Sequence, residues 1–266
     1  MSFFINNTEP SEAYFNGSEV STIYYNGTLV WKVVKFEWGD ETAIGDSAWW
    51  LALKEWIASA SAAERQACIG KTKKVSLSTA VLGASAYTMR CIGADEDGEG
   101  TLTFESVNTS PSNAVINGSS SGTNAWIGST VRSRCQSFYN YCSAKSAIKT
   151  VKKGTYPPNK TTAVYNNETV FVLSRIEMGL STGTSTTNSE CTYGYNAAYS
   201  YYADNVKTER IKYKSNASGN ATTTKSSYWL RTPYYSSDVY YIKTDGGATW
   251  AYRESELGVA PAFVIG

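Results

Sequence analysis

Tyr228-Trp229-Leu230-Arg231-Thr232-Pro233 and, further along, Gly258-Val259-Ala260-Pro261-Ala262-Phe263 decide how this chain folds. Each string sets large apolar side chains close together with few charges, the pattern of a buried strand. Trp229, Leu230, Val259, Pro261 and Phe263 therefore belong to a core. Arg231 sits between Leu230 and Thr232 and should be buried with them. A buried guanidinium needs acceptors, so it is expected to bond loop carbonyls or a carboxylate such as Glu177.

The window between these strings has a different character. From Tyr234 to Tyr241 the residues are aromatic or small and polar, with almost no aliphatic ones. A core strand would alternate with Val, Ile or Leu. Tyrosine offers wide contact area with few rotatable bonds, and serine adds adaptable hydrogen bonds, the mixture that antibody paratopes use. If the segment is extended, Tyr234, Ser236 and Asp238 point one way, and Tyr235 and Ser237 the other. Tyr240 and Tyr241 then cannot both face out. The competing reading makes these tyrosines ordinary sheet residues that cover a core.

Working toward the N-terminus, Tyr228 to Ile265 reads as strand and turn, with Thr244-Asp245-Gly246-Gly247 a turn signal. Ser215 to Ser227 and Ser181 to Asn188 read as polar loops, and Val170 to Leu173 as a buried strand. Trp126 to Ala147 reads as a helix with Val131, Cys135, Phe138, Tyr139 and Cys142 on one side; a loop with Pro157-Pro158 follows. Asn108 to Thr123 is a Ser/Asn/Gly loop. Strands are expected around Val75 and Leu77, from Tyr87 to Ile92, and around Leu102 and Phe104. Asp46 can cap a helix in which Trp49, Leu53, Trp56 and Ile57 recur at helical spacing, and Ser61-Ala62-Ala63-Glu64 has the capping-box form. Near the start, Tyr14-Phe15-Asn16-Gly17 and Tyr24-Tyr25-Asn26-Gly27 carry hairpin turn signals, and Val20 to Trp31 reads as a hairpin.

Composition narrows the chemistry. The 266 residues carry 18% charge, below the usual ~25%, and a net charge of +1. Nucleic-acid binding needs a concentrated positive field. The clusters Lys71, Lys73, Lys74 and Lys149, Lys152, Lys153 read instead as solvated faces. There is no histidine, which removes His-dependent triads and most His-containing metal sites. The five cysteines, Cys68, Cys91, Cys135, Cys142 and Cys191, read as mostly buried thiols, with a Cys135–Cys142 bridge as the alternative. Asp95, Glu96, Asp97 and Glu99 are of the type that binds calcium, but their spacing fits no EF-hand loop. No apolar run reaches the ~20 residues that span a bilayer, and the first residues lack the form of a signal peptide.

Several strings resemble one family. Tyr228 to Pro233 resembles a "WLRSP" motif, and Gly258 to Phe263 a "GVxPAF" ending. Ile69-Gly70-Lys71 with Lys74-Val75-Ser76-Leu77 resembles "vGDxkxixL", Trp126 to Arg132 resembles "gWxxSxmR", and Val170 to Glu177 resembles "vFlLSxxE". In this order they resemble the DUF6273 family of gut bacteria and their phages, over roughly residues 34–266. Lys71 stands where that family usually has Asp, Thr232 replaces Ser, and the Ala94 to Asp97 segment lacks the usual His-Asp. The resemblance implies an α+β chain with a C-type-lectin-like fold over residues 37–266, preceded by a small β-hairpin segment at 1–36. Ile23 to Trp31 resembles an attachment segment of phage tail proteins.

A further similarity is to the variable proteins of diversity-generating retroelements, which end in a lectin-like fold. Adenine-directed mutagenesis of AAY codons yields Tyr, Ser, Asp or Arg, but never Lys, Glu or Trp. Tyr234, Tyr235, Ser236, Ser237, Asp238, Tyr240, Tyr241, Tyr252, Arg253 and Ser255 pass that filter. Lys243, Trp250, Glu254 and Glu256 do not.

The resemblance thus implies a phage or prophage tail-tip protein whose C-terminal window binds a host cell-surface receptor, protein or glycan. Other tail proteins are its expected partners, in a virion assembled in the bacterial cytoplasm, with a homotrimer as the expected assembly. Nucleic acid, membrane insertion, cofactors and enzymatic activity are not expected: formylglycine-generating chemistry on the related fold uses a C-terminal cysteine pair, and no cysteine follows Cys191. The alternative is a structural virion or bacterial surface protein with no ligand of its own.

Overall fold

The computed structural model describes residues 36–117, 126–155, 163–180, 193–194, 197–234 and 237–266, and the backbone of four short strands between residues 13 and 32. Tyr235, Ser236, Cys191, Pro157-Pro158, residues 118–123, the Ser181–Asn188 segment and both Asn-Gly pairs lie outside the described residues. The chain divides into two units, Met1–Trp38 and Gly39–Gly266.

In the first unit, β1 (Ala13–Phe15) pairs antiparallel with β2 (Ser18–Val20), and β3 (Thr22–Tyr25) with β4 (Thr28–Lys32). The second pairing is the hairpin expected between Val20 and Trp31, with a register shift between Ile23 and Tyr24.

The second unit is mixed α and β, with mostly strands. In chain order it contains β5 (Ile44–Gly45), α1 (Ser47–Ile57), α2 (Ala62–Gln66), β6 (Thr72–Val81), β7 (Ala84–Ala94), β8 (Leu102–Ser106), α3 (Thr130–Tyr141), β9 (Ile148–Lys149), β10 (Val151–Thr155), β11 (Val164–Glu168) and β12 (Val170–Phe171). Then come β13 (Lys212–Ser215), β14 (Ala221–Ser226), β15 (Tyr228–Tyr234), β16 (Asp238–Ile242), β17 (Ala248–Tyr252) and β18 (Ala262–Ile265).

The main sheet is open, in the order β12-β18-β8-β7-β6-β5, with β9 also on β18. All its pairs are antiparallel except β5 with β6. β18 lies between β8 on one side and β9 and β12 on the other, and all four of its residues are fully buried. That explains why Ala262 to Ile265 reads as an unbroken apolar run: a strand covered on both faces has no reason to alternate.

One face of this sheet packs against helices. Asp46 caps α1 by accepting the Trp49 backbone N–H at 2.8 Å, and Ser61 and Glu64 form the expected capping box on α2. The buried stripe of α1 is Trp50, Leu53 and Ile57, so its centre is Trp50 and not Trp49. Trp49 and Trp56 flank the stripe, half-buried. The Trp50 ring meets Phe104 at 5.4 Å and Phe263 at 5.6 Å, both edge-on. Phe104 and Phe263 stack at 5.7 Å, directly opposite each other in register. From α3, Phe138 reaches Phe263 and Tyr87. Such ring pairs add about 0.5–1.5 kcal/mol each beyond their burial.

Three expectations need correction. The helix expected from Trp126 to Ala147 is only Thr130–Tyr141. Ser129 caps it by accepting the Arg132 N–H, and Cys142 is extended, so the apolar spacing runs past both ends of the helix. Ser215 to Ser227 is not a loop: β13 and β14 pair antiparallel across it. The turn between them needs Gly219, at φ +77°, where a Cβ would run into the Ala86 carbonyl. The lysine clusters are not wholly solvated, since Lys73 and Lys153 are buried. Lys73 Nζ donates to the Asp40 carbonyl at 2.8 Å and lies over the Trp49 ring.

Cys68, Cys91, Cys135 and Cys142 are all buried free thiols, and no bridge joins Cys135 to Cys142. Burial pushes the Cys142 thiol up to about 12 and raises Cys68, Cys91 and Cys135 as well. They are packing residues with no reactive thiolate.

The helix register gives a direct test. Leu53 is fully buried, and Leu51 is 40% exposed. Leu53→Ala should lower the unfolding free energy by about 2–5 kcal/mol. Leu51→Ala should change it by less than about 0.5 kcal/mol. Denaturant titration of the two variants checks both.

Candidate functional site

The first core string and the residues that follow it form a separate meander, β15-β16-β17. The turn from β16 to β17 is the expected one. Gly246 adopts φ +79°, Lys243 N–H donates to the Gly247 carbonyl at 2.7 Å, and the Asp245 carboxylate accepts Gly247 N–H at 2.9 Å. This turn fixes the register, with Tyr240 opposite Trp250 and Asp238 opposite Tyr252. On the other side of β16, Tyr234 stands opposite Asp238.

Alternation then sorts the side chains. Val239 is buried, and Tyr241 turns its ring toward the fully buried Trp229, 6.3 Å away. Tyr234, Tyr240, Trp250 and Tyr252 gather on the opposite face. Tyr234 and Trp250 stack at 5.4 Å with planes 17° apart. Tyr240 meets Tyr234 at 5.0 Å, and Tyr252 meets Trp250 at 6.4 Å, both edge-on. The Arg175 guanidinium lies 4.1 Å from the Tyr240 ring centre, and the Arg175 backbone N–H donates to Thr232 Oγ1 at 3.0 Å. Trp250 stays 45% exposed and Tyr252 61%. The result is a connected aromatic surface whose rings hold one another in place, so that a partner landing on it would cost little rotamer freedom.

The structure brings some of the expected site residues together and separates others. Tyr234, Tyr240 and Tyr252 share the aromatic face. Tyr241 lies on the other face, as the pleat requires. Asp238 and Arg253 are each only 7% exposed. The Ser237 hydroxyl donates to Asp238 at 3.2 Å, and Arg253 pairs with Glu254 at 3.2 Å and donates its backbone N–H to Ser237. Ser255 is half-buried in the turn after β17. The codon filter passed over Trp250, which sits at the centre of the surface. Its position opposite Tyr240 is the signal that would have found it.

The scaffold behind the meander is held by ions. Arg231 donates to the Val172 carbonyl at 2.8 Å and to Glu177 Oε2 at 2.5 Å, as its place in the sequence implied. Glu177 Oε1 is 3.0 Å from Lys153 Nζ, which is 2.5 Å from Asp97 Oδ1. Tyr199 Oη donates to Asp97 Oδ2 at 2.8 Å, and Thr103 Oγ1 donates to the same oxygen. A second buried set joins Lys212 to Glu105 at 3.0 Å, with Tyr202 also donating to that carboxylate. Burial pushes the Lys212 ammonium below its ordinary range, opposed by Glu105.

The carboxylate run is thus largely engaged. Asp95 pairs with Arg65 at 2.8 Å, Glu96 accepts the Ser200 N–H at 2.9 Å, and Asp97 belongs to the Lys153 set. Among the described residues no group of three or more Cys, Asp or Glu side chains is arranged to hold a metal ion.

Burial alone would raise the Glu177 carboxyl, but Arg231 and Lys153 outweigh it and hold it below the usual carboxylate range. A carboxyl depressed in the folded state contributes stability that is complete above its unfolded pKa and is lost as pH falls through the folded value. Stability should therefore fall as pH drops below about 4.5, the ordinary value for Glu. Glu177→Gln should cost up to about 3–5 kcal/mol at neutral pH and flatten that acid limb, as read by denaturant unfolding across pH.

Residues 97–266 match the family described as Domain of unknown function (DUF6273). The match covers more than half of the chain, including the buried ion set and the aromatic face, and leaves the string at 69–77 outside it. No curated protein and no solved structure matches the chain. No helix among the described residues is long and apolar enough to cross a membrane. On the strength of that family match, the chain belongs to DUF6273.

Proposed function

We propose that this chain is a recognition module of a phage or prophage tail tip, and that it holds a host cell-surface receptor against the face formed by Tyr234, Tyr240, Trp250 and Tyr252. The observation that carries the reading is the exposure of Trp250 and Tyr252 within a set of mutually packed rings. Large aromatic side chains left open to water on an ordered sheet are the usual anchors of an interface. The window also carries Ser237 and Ser255, small polar residues that suit an adaptable rim.

On this reading the scaffold is lectin-like, and the first unit attaches the chain to other tail proteins. The window from Tyr234 to Ser255 is where sequence change is tolerated. Its diversification by a retroelement is part of the proposal for Tyr234, Tyr240 and Tyr252, which lie on the exposed face. Asp238 and Arg253 are supports beneath it, and Trp250 is a constant anchor.

The test is binding of the purified chain to host-type cells. Replacing Trp250 and Tyr252 together by Ala should weaken binding at least about tenfold, the effect of losing one or two anchor residues, with the unfolding midpoint nearly unchanged. A structural virion protein without a ligand would show no saturable binding before or after the change, and that result would sink the proposal.

A further inference from the structure

We propose that Lys153 and Asp97 are joined in the mature protein by an isopeptide bond that the site makes without any other catalyst. Five side chains buried in the core, away from the aromatic face, are arranged for it: Lys153, Asp97, Glu177, Tyr199 and Thr103.

Lys153 Nζ lies 2.5 Å from Asp97 Oδ1, and both side chains are sealed from water. The ring of Phe171 lies 4.3 Å from the ammonium, and that of Tyr199 5.1 Å. Two opposite charges in such a place carry a desolvation penalty that their attraction only partly offsets. An amide carries no charge, so condensation removes the penalty and releases one water.

The remaining groups stand where the reaction needs them. A proton passes from Lys153 Nζ to Asp97 Oδ1 along their hydrogen bond, leaving an amine and a carboxylic acid. The nitrogen lone pair attacks Asp97 Cγ, and the carbonyl electrons move onto Oδ2. That oxygen already accepts hydrogen bonds from Tyr199 Oη and Thr103 Oγ1. Donors placed in advance at the atom where negative charge develops are the strongest common device for this class of step.

Tyr199 is suited to the role because burial raises its hydroxyl far above its ordinary range, which keeps it a neutral donor. Glu177 Oε1, 3.0 Å from Nζ, takes one proton from the nitrogen and delivers it to Oδ1. The Cγ–Oδ1 bond breaks, water leaves, and Oδ2 becomes the amide carbonyl. Glu177 ends as it began, a carboxylate fixed through its other oxygen by Arg231. Ammonium and carboxylate have become amide and water, with no oxidant or activated donor required.

The experiment is intact-mass spectrometry of the purified, denatured full chain, followed by peptide mapping. The expected mass is one water below that of the sequence, and a tryptic digest should yield a branched peptide linking the Asp97 and Lys153 segments. Lys153→Arg keeps the positive charge but cannot form the amide, so it should restore the full mass. Tyr199→Phe should leave a mixture that closes more slowly with time. A wild-type mass equal to that of the sequence would overturn the proposal. So would a water loss that persists in Lys153→Arg, since Asp97-Gly98 can also lose water by closing to a succinimide. The branched peptide requires no variant and settles the matter if a substitution fails to fold.

Discussion

Arg231 brings a positive charge into a part of the core that water does not reach, and much else follows from having to balance it. Its guanidinium is satisfied by the Val172 carbonyl and by Glu177, which fixes the segment after β12 against β15. Glu177 in turn engages Lys153 from β10, and Lys153 engages Asp97 from the loop before β8. Four segments distant in sequence are thereby tied at one point. Removing one member of such a set leaves an uncompensated buried charge, which costs about 3–5 kcal/mol, so the set behaves as a unit. The meander that carries the aromatic face begins with the strand that holds Arg231.

The main sheet shows the same division of labour across its thickness. β8 alternates as Leu102, Thr103, Phe104, Glu105, Ser106, which in isolation implies one dry face and one wet one. Both faces are buried. Phe104 packs with Trp50 and Phe263, while Thr103 and Glu105 bond to Asp97 and to Lys212 with Tyr202. The polar face is covered by chain that brings its own ions and hydroxyls, an ionic layer opposite an aromatic one.

This division also sets what could be read from the sequence. Local signals were legible: the Asp46 cap, the Ser61 capping box, the Gly246 turn and the pairing of β3 with β4 depend on residues a few positions apart. Arg231 was legible because a charge between Leu230 and Thr232 has few ways to be satisfied, and Glu177 was among them. Lys153 was not, because a lysine beside Lys152 reads as solvent-facing until Asp97 and Glu177 are brought to it from elsewhere in the chain. β14 was hidden by its composition, since an exposed threonine strand reads like a polar loop. Of the aromatic face, the tyrosines were legible and Trp250 was not. Its membership depends on register with Tyr240 and not on the kind of residue it is.

The place of β18 has a consequence for how the chain reaches this structure. Ile265 pairs with Leu102, and Phe263 with Phe104, so the sheet is completed only by contacts between segments far apart in sequence. Contacts of that kind carry a large closure entropy and form slowly. During synthesis β8 waits, with a ready hydrogen-bonding edge, until the ribosome has released β18, and such an edge invites aggregation or a chaperone in the interval. The aromatic face is carried on the intervening chain, and none of its rings sits on a strand of the main sheet. Closure of the sheet and packing of the aromatic face therefore draw on different residues.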